Sequence, residues 1–385
     1  MTITTPLGFR AAGVKAGIKE SGSRDVALVV NDGPLDIAAA TFTTNRAKAN
    51  PILWSMEAIR AGSTKAILLN SGCANCFTGT YGYETTVLSA QAVADQMGLE
   101  PTQVQVCSTG MIGEGGAEFR SKILAAIPKA IGSLSLAGGT RAAGAILTTD
   151  TFAKTSRFRG EGWDVAGMAK GAGMLAPAMA TMLCVLTTDA IISQEVADRA
   201  LRRVVERTFN RLDSDGCTST NDQVTLLVSG GSGAEVTEQE FESALYEVAF
   251  DLTMQLLSDA EGSTHDIAIH VKNAASVPDA VEVGRAVARN SLFKAAVYGN
   301  DPNWGRILAA VGTTKARFDP YKIDVSMNGV RVCSDGEGDQ DRSLVDMRER
   351  EVSVTIDLKA GESEATIWTS DLTTDYVLEN SAYSS

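Results

Sequence analysis

The residues with the clearest chemical use lie in one stretch, Lys170 to Ala190, which reads KGAGMLAPAMATMLCVLTTDA. Gly171, Gly173 and Pro177 favour a tight, non-helical backbone, and Met182 to Leu186 form a short apolar run suited to a buried strand. Thr181 stands at the junction, where a bend on one side and a rigid strand on the other present a hydroxyl nucleophile to a cleft. If the Ala180–Thr181 bond were cut, Thr181 would gain an α-amine with a pKa of about 7.7–8.0, close enough to neutrality to act as its own base. The plainer alternative is that Thr181 opens a core strand, and local pattern by itself favours that alternative.

Other groups offer less. The chain has two histidines, His265 and His270. Strand alternation puts Ile267, Ile269 and Val271 on one face and His270 on the other, so both histidines read as solvated or satisfied rather than as metal ligands or triad bases. A hydroxyl nucleophile here must find a base other than imidazole. The six cysteines sit in apolar or small-residue stretches, which suits reduced core thiols, and Cys73-Ala-Asn-Cys76 has no second CxxC to make a zinc site. Asp213 to Asp222 is acidic and hydroxyl-rich but lacks EF-hand spacing, so hydrogen-bonded turns are expected there. No metal and no cofactor are expected.

The elements that must hold these groups alternate between β and α. Short β-rich runs cover Val26–Val30, Ala39–Phe42, Ala66–Asn70 and Gln103–Ser108, with a helix around Thr85–Met97. Two of these strands end in Gly-rich loops, Leu69 to Gly79 and Cys107 to Gly113. Such loops can offer amides and hydroxyls to a ligand, but neither has a Walker or dinucleotide pattern. Ser156 to Gly162 reads as a polar surface excursion. Ser193 caps an amphipathic helix reaching Phe209, and Thr237 to Glu240 is a capping box opening a second long helix that ends near Glu261-Gly262. A helical segment spans about Ala280–Ala296, and a loop carries Asn300 to Arg306 through Trp304-Gly305. Alternating strands surround the Asn328-Gly329 hairpin signal and continue through Val352–Leu358 and Ala365–Thr369.

With 385 residues, 44% hydrophobic and 21% charged, the chain can bury one large core or two ordinary ones. A net charge of −13 with no Lys/Arg-rich run opposes nucleic acid and anionic membranes as partners. No apolar stretch is long enough to span a bilayer and no export signal is visible, so a cytoplasmic location is expected.

Taken together and in order, Cys107-Ser-Thr-Gly-Met-Ile-Gly113, Thr148-Thr-Asp-Thr151, Lys170-Gly-Ala-Gly-Met174, Ala180-Thr-Met-Leu183, Cys217 to Asp222, Asp259-Ala-Glu-Gly262, Asp301 to Arg306 and Asn380 to Ser385 are highly specific. Over nearly its whole length the chain resembles the ornithine acetyltransferases, bifunctional glutamate N-acetyltransferases of arginine biosynthesis. The resemblance implies self-cleavage between Ala180 and Thr181 into an α chain (1–180) and a β chain (181–385) assembled as an α2β2 heterotetramer. It implies an α/β fold of the self-cleaving N-terminal-nucleophile kind, a sandwich with two central β-sheets and outer helices. It implies acetyl transfer from N2-acetyl-L-ornithine to L-glutamate through an acetyl-Thr181 intermediate, with acetyl-CoA as a second donor left open. Thr109 and Gly110 match the oxyanion-hole pair, and Thr148, Lys170, Thr181, Glu261, Asn380 and Ser385 the substrate-contacting positions. Lys170 would face a substrate carboxylate and Glu261 an ornithine ammonium; without the resemblance they read as a surface lysine and a helix-end carboxylate. The family often has Asn and Ala at Cys73 and Cys76, a difference of packing, and Lys at His265, which puts in question the positive charge reaching Glu261. The rival readings are a self-cleaving amidase or aminopeptidase of the same superfamily and an uncleaved amino-acid-binding protein.

Overall fold

The computed structural model describes residues 2–174 and 182–382. The first part of the chain forms β1 (Phe9–Val14), β2 (Val26–Asn31), β3 (Ile37–Phe42), α1 (Asn50–Ala58), β4 (Ala66–Cys73) and α2 (Gly79–Met97). Next come β5 (Val104–Met111), α3 (Ala117–Gly132), α4 (Gly139–Ala145), β6 (Lys154–Arg159) and β7 (Asp164–Lys170). β8 (Leu183–Thr188), α5 (Gln194–Arg207), β9 (Gln223–Val228) and α6 (Glu238–Ser258) follow. The remainder forms β10 (Asp266–Ala274), α7 (Val277–Ala288), α8 (Ser291–Tyr298), α9 (Trp304–Val311), β11 (Asp324–Met327) and β12 (Val330–Ser334). It closes with β13 (Glu337–Gly338), β14 (Glu351–Asp357), β15 (Ser363–Ser370) and α10 (Thr374–Ala382).

Two sheets lie face to face. One has the order β1-β2-β4-β5 and the other β3-β9-β8-β7-β6. Ala27, Val29, Ile67, Leu69 and Cys107 of the first meet Ala38, Met168, Leu183, Val185 and Leu227 of the second in one apolar layer. The opposite faces are covered by helices: Val26, Leu28 and Leu68 pack under α2 and α3, and Cys184, Leu186 and Leu226 under α5 and α6. This explains why β2 and β8 read as unbroken apolar runs, since each face of the strand meets a different layer. The expected sandwich of two central sheets with outer helices is therefore present.

A third sheet, β13-β12-β11-β14-β10-β15, adds a further layer that the sequence showed only as scattered strands. Ile267, Ile269 and Val271 with Val352, Val354 and Ile356 face α7, α8 and α9 in their own core, while the residues between them are less buried. One face is wet, so hydrophobicity alternates. Asn328 and Gly329, both at positive φ, join β11 to β12 in the two-residue turn that their pairing signals.

Four readings need correction. Residues 156–159 are no surface excursion but part of edge strand β6, paired antiparallel with β7. The segment around 280–296 is two helices, because the Asn290 side chain caps α8 by accepting from the Phe293 amide. Trp304-Gly305 is the first turn of α9 behind the Asn303 cap, not part of the loop. The long helix stops at Ser258, so Glu261 lies on the loop beyond it, where its amide donates to Ala172 O at 3.1 Å.

Candidate active site

Eight chain segments meet at one end of the sandwich and line a cavity of about 300 Å3, within the size range of small-molecule sites. Thr109, Gly110, Thr148, Lys170, Glu261 and Asn380 all line it. These are all the expected site residues within the described part of the chain; Ala180, Thr181 and Ser385 lie outside it.

The wall formed by Thr109 and Gly110 is set by the parallel pair β4/β5. Gly110 has φ +129°, and a Cβ there would lie 2.4 Å from the Gly72 carbonyl carbon, so only glycine lets the two strand ends approach this closely. The loop before β9 locks the arrangement. Asn221 Nδ2 donates to Ala74 O at 2.7 Å and Ser108 O at 2.9 Å, and Asn221 Oδ1 accepts from the Thr220 hydroxyl at 2.6 Å. Ser108 O belongs to the peptide bond whose N–H is that of Thr109, so Asn221 both orients and polarises that amide.

Lys170, at the end of β7, is buried rather than on the surface. Its Nζ donates to Thr148 Oγ1 at 2.7 Å and to Thr109 Oγ1 at 3.4 Å, and lies 3.8 Å from Asp150 Oδ2. Burial lowers its pKa, opposed chiefly by Asp150. Burial pushes Asp150 upward, but Lys170 and Lys154, with hydrogen bonds from Lys154 and the Thr148 amide, outweigh it and bring the carboxyl down to about 2. Lys154 continues the chain of charges to Asp259, at 2.5 Å. Glu261 lies over Gly173, where a Cβ would come within 2.6 Å of its carboxylate. Asn380, on α10, donates from Nδ2 to Tyr376 O at 3.0 Å.

Asp222 sits just beyond this wall. Its Oδ1 accepts from the Met182 amide at 3.0 Å, which pins the first residue after Thr181, and its Oδ2 has no hydrogen-bond partner among the described residues. Burial holds this carboxyl far above the usual range.

His265 is a satisfied buried histidine: its Nδ1 is 2.7 Å from Asp371 and its Nε2 3.0 Å from Met347 O. It does not line the cavity. Cys73 and Cys76 are buried and unbridged, and burial raises the Cys73 thiol to about 12. Among the described residues no group of three His, Cys, Asp or Glu is placed to hold a metal, and no helix is long and apolar enough to cross a membrane. A pocket lined by the ammonium groups of Lys19 and Lys170, the Glu261 carboxylate and several hydroxyls suits a small zwitterion.

Comparison with known proteins places the whole chain in a family. Residues 10–385 match the ArgJ family. The chain belongs to that family. It is 55% identical over 384 residues to the arginine biosynthesis bifunctional protein ArgJ of Thermobifida fusca and 54% identical over 385 residues to that of Streptomyces coelicolor, each alignment covering both chains fully. A solved ornithine acetyltransferase from Mycobacterium tuberculosis, complexed with ornithine, is 45% identical, with 46% of this chain and 94% of that chain covered and a TM-score of 0.44. Within this ArgJ-family chain the sequence reading missed Asp150, Lys154, Asp259, Asn221 and Asp222 as parts of the site. The first signal for Asp150 was available in the Thr148-Thr-Asp-Thr151 motif, a lone acid among hydroxyls; Asp259, joined to it through Lys154, lies too far along the chain to be inferred.

Proposed function

We propose that this chain moves the acetyl group of N2-acetyl-L-ornithine to L-glutamate, after cutting itself between Ala180 and Thr181 into an α chain (1–180) and a β chain (181–385). The observation that carries the reading is the convergence of Thr109, Gly110, Thr148, Lys170, Glu261 and Asn380 on one cavity, in a chain of the ArgJ family. The position of Met182, whose amide is held by Asp222 beside that cavity, supports Thr181 as the nucleophile.

In the proposed exchange the new α-amine of Thr181 takes the hydroxyl proton and Oγ attacks the acetyl carbonyl. Thr109 and Gly110 stabilise the oxyanion, a donor of this kind contributing about 10²- to 10³-fold. Ornithine leaves with a proton, and the amine of glutamate then attacks acetyl-Thr181 to give N-acetylglutamate. Lys170 binds the substrate carboxylate through charge-assisted hydrogen bonds, while Glu261 faces the ornithine ammonium. Asn380, which lines the cavity, and Ser385 match the family's substrate-contacting positions. Acetyl-CoA is the second donor to the same threonine, a reading supported by the word bifunctional in the relatives' names. The fragments assemble as an α2β2 heterotetramer in the cytoplasm.

Purified protein supplied with glutamate and N-acetylornithine should yield N-acetylglutamate and ornithine by mass spectrometry with ping-pong kinetics. Thr181→Ala should remain a single uncut chain and lose acetyl exchange. Exchange retained in that variant sinks the nucleophile assignment, and acetate released without any need for glutamate would favour the amidase reading.

A further inference from the structure

We propose that Asp150, which does not line the cavity, is the positioning residue that holds Lys170 and Thr148 in register with one another. The inference rests on the acetyl-exchange reading, in which those two residues contact substrate. Its geometry is that of a hub. Oδ1 accepts from the Gly171 amide at 2.6 Å and from Lys154 Nζ at 2.8 Å, and Oδ2 accepts from the Thr148 amide at 3.0 Å and lies 3.8 Å from Lys170 Nζ. One carboxylate thus fastens the backbone of Thr148 and of the residue after Lys170, and faces the Lys170 ammonium as well.

The network continues toward Glu261, the carboxylate of the cavity. Lys154 bridges Asp150 to Asp259, and Asp259 also receives the Thr151 amide, at 3.0 Å, and the Thr151 hydroxyl. Asp259 is two residues from Glu261, so the relative placement of the Lys170 ammonium and the Glu261 carboxylate passes through Asp150 and Lys154. The side chains of Asp150 and Lys154 are wholly inaccessible to solvent, and that of Asp259 nearly so. A buried ammonium stays charged only where counter-charges outweigh its lost hydration. Around Lys170 those are Asp150 first, then Glu261, with Asp222 adding to them only where its raised carboxyl is ionised, while Lys154 acts against them; Lys19 lies in the same field. Removing the Asp150 charge therefore makes Lys170 easier to deprotonate, and removing the Lys154 charge makes it harder. General damage to the fold does not produce opposite signs.

The test measures kcat/KM for acetyl transfer between about pH 6 and pH 10 in the cleaved wild type, Asp150→Asn and Lys154→Gln. The alkaline limb should move down by about one pH unit or more in Asp150→Asn and upward in Lys154→Gln. An unmoved limb in Asp150→Asn, or a shift in the same direction in both variants, overturns the proposal. Because either variant can fail to fold, Lys170 is also titrated in the wild type by NMR of lysine labelled with 13C at Cε, its signal assigned by its loss in Lys170→Met. An ammonium at neutral pH is the expected result, and a neutral amine there overturns the role given to Asp150. That measurement needs no turnover, so absent acetyl exchange in the wild type would sink the functional reading without touching this one.

Discussion

Asp150 and Asp213 both have side chains closed to solvent, yet their surroundings drive them apart. Asp150, at the cavity, receives two backbone amides and the Lys154 ammonium with Lys170 beyond, and its carboxyl is brought down to about 2. Asp213 lies where the sandwich meets the third sheet, its amide bound to Trp368 O. Its carboxylate accepts from Arg289 Nε at 2.8 Å and the Gly216 amide at 3.2 Å, and Arg289 is 44% exposed. There burial prevails over Arg289 and pushes the carboxyl up to about 6. Burial alone therefore says nothing about the charge of an aspartate. The number of fixed donors and desolvated cations around it decides.

The largest expected difference follows from taking each charge away. Asp150→Asn leaves Lys154 and Lys170 facing each other in the interior with one counter-charge fewer, a loss of about 3–5 kcal/mol. Asp213→Asn removes a group that burial already disfavours in its ionised form and leaves Arg289 free to turn to water, so a change of about 1 kcal/mol or less is expected. Urea denaturation near neutral pH compares them directly, and equal losses would refute the contrast. The pH dependence should be smaller and opposite in sign at the two sites. As pH falls from about 4 to 2, the unfolded chain protonates its Asp150 before the native state does, so stability drops by about 2–3 kcal/mol. As pH rises from about 4 to 6, the native state keeps the Asp213 proton that the unfolded chain has lost, and stability again drops by about 2–3 kcal/mol. Each slope should vanish in the matching asparagine variant; a slope that survives belongs to another group.

How much of this was legible in the sequence depends on the range over which each residue acts. β2 and β8 announced themselves because strands buried on both faces are apolar throughout, and the Ser193 and Thr237 caps because their bonds span three residues. β1 escaped because Phe9–Val14 is rich in Ala and Gly, which carry no β signal. Its small residues answer to tertiary packing: a Cβ on Gly13 would lie 2.0 Å from Arg141 O of α4. β6 and β7 escaped for the related reason that an edge strand can be polar and its neighbour built from small residues. The cavity residues were reached through their resemblance to a family, since no local pattern relates Thr109 to Glu261. The charges that hold them in place were not reached at all. Lys154 and Asp259 meet across 105 positions, and nothing in either neighbourhood names the other.

The smallest predicted effect concerns the exposed partner. Arg289 helps to pull Asp213 toward its ionised form, so Arg289→Gln should raise that carboxyl further and extend to higher pH the window in which stability falls. The direct loss of the ion pair should be about 1 kcal/mol or less, because a guanidinium this open to water gives up little hydration and is screened by salt. Urea midpoints taken at low and at high salt separate the two contributions: the pair term should shrink with salt, while the extended window, set by burial of Asp213, should not. If the window stays where it is in the wild type, the carboxyl is held by other groups of its cluster, Arg285 foremost. Asp213 would then resemble Asp150, held by several fixed partners, and the contrast between the two sites would narrow to the number of buried ammonium groups.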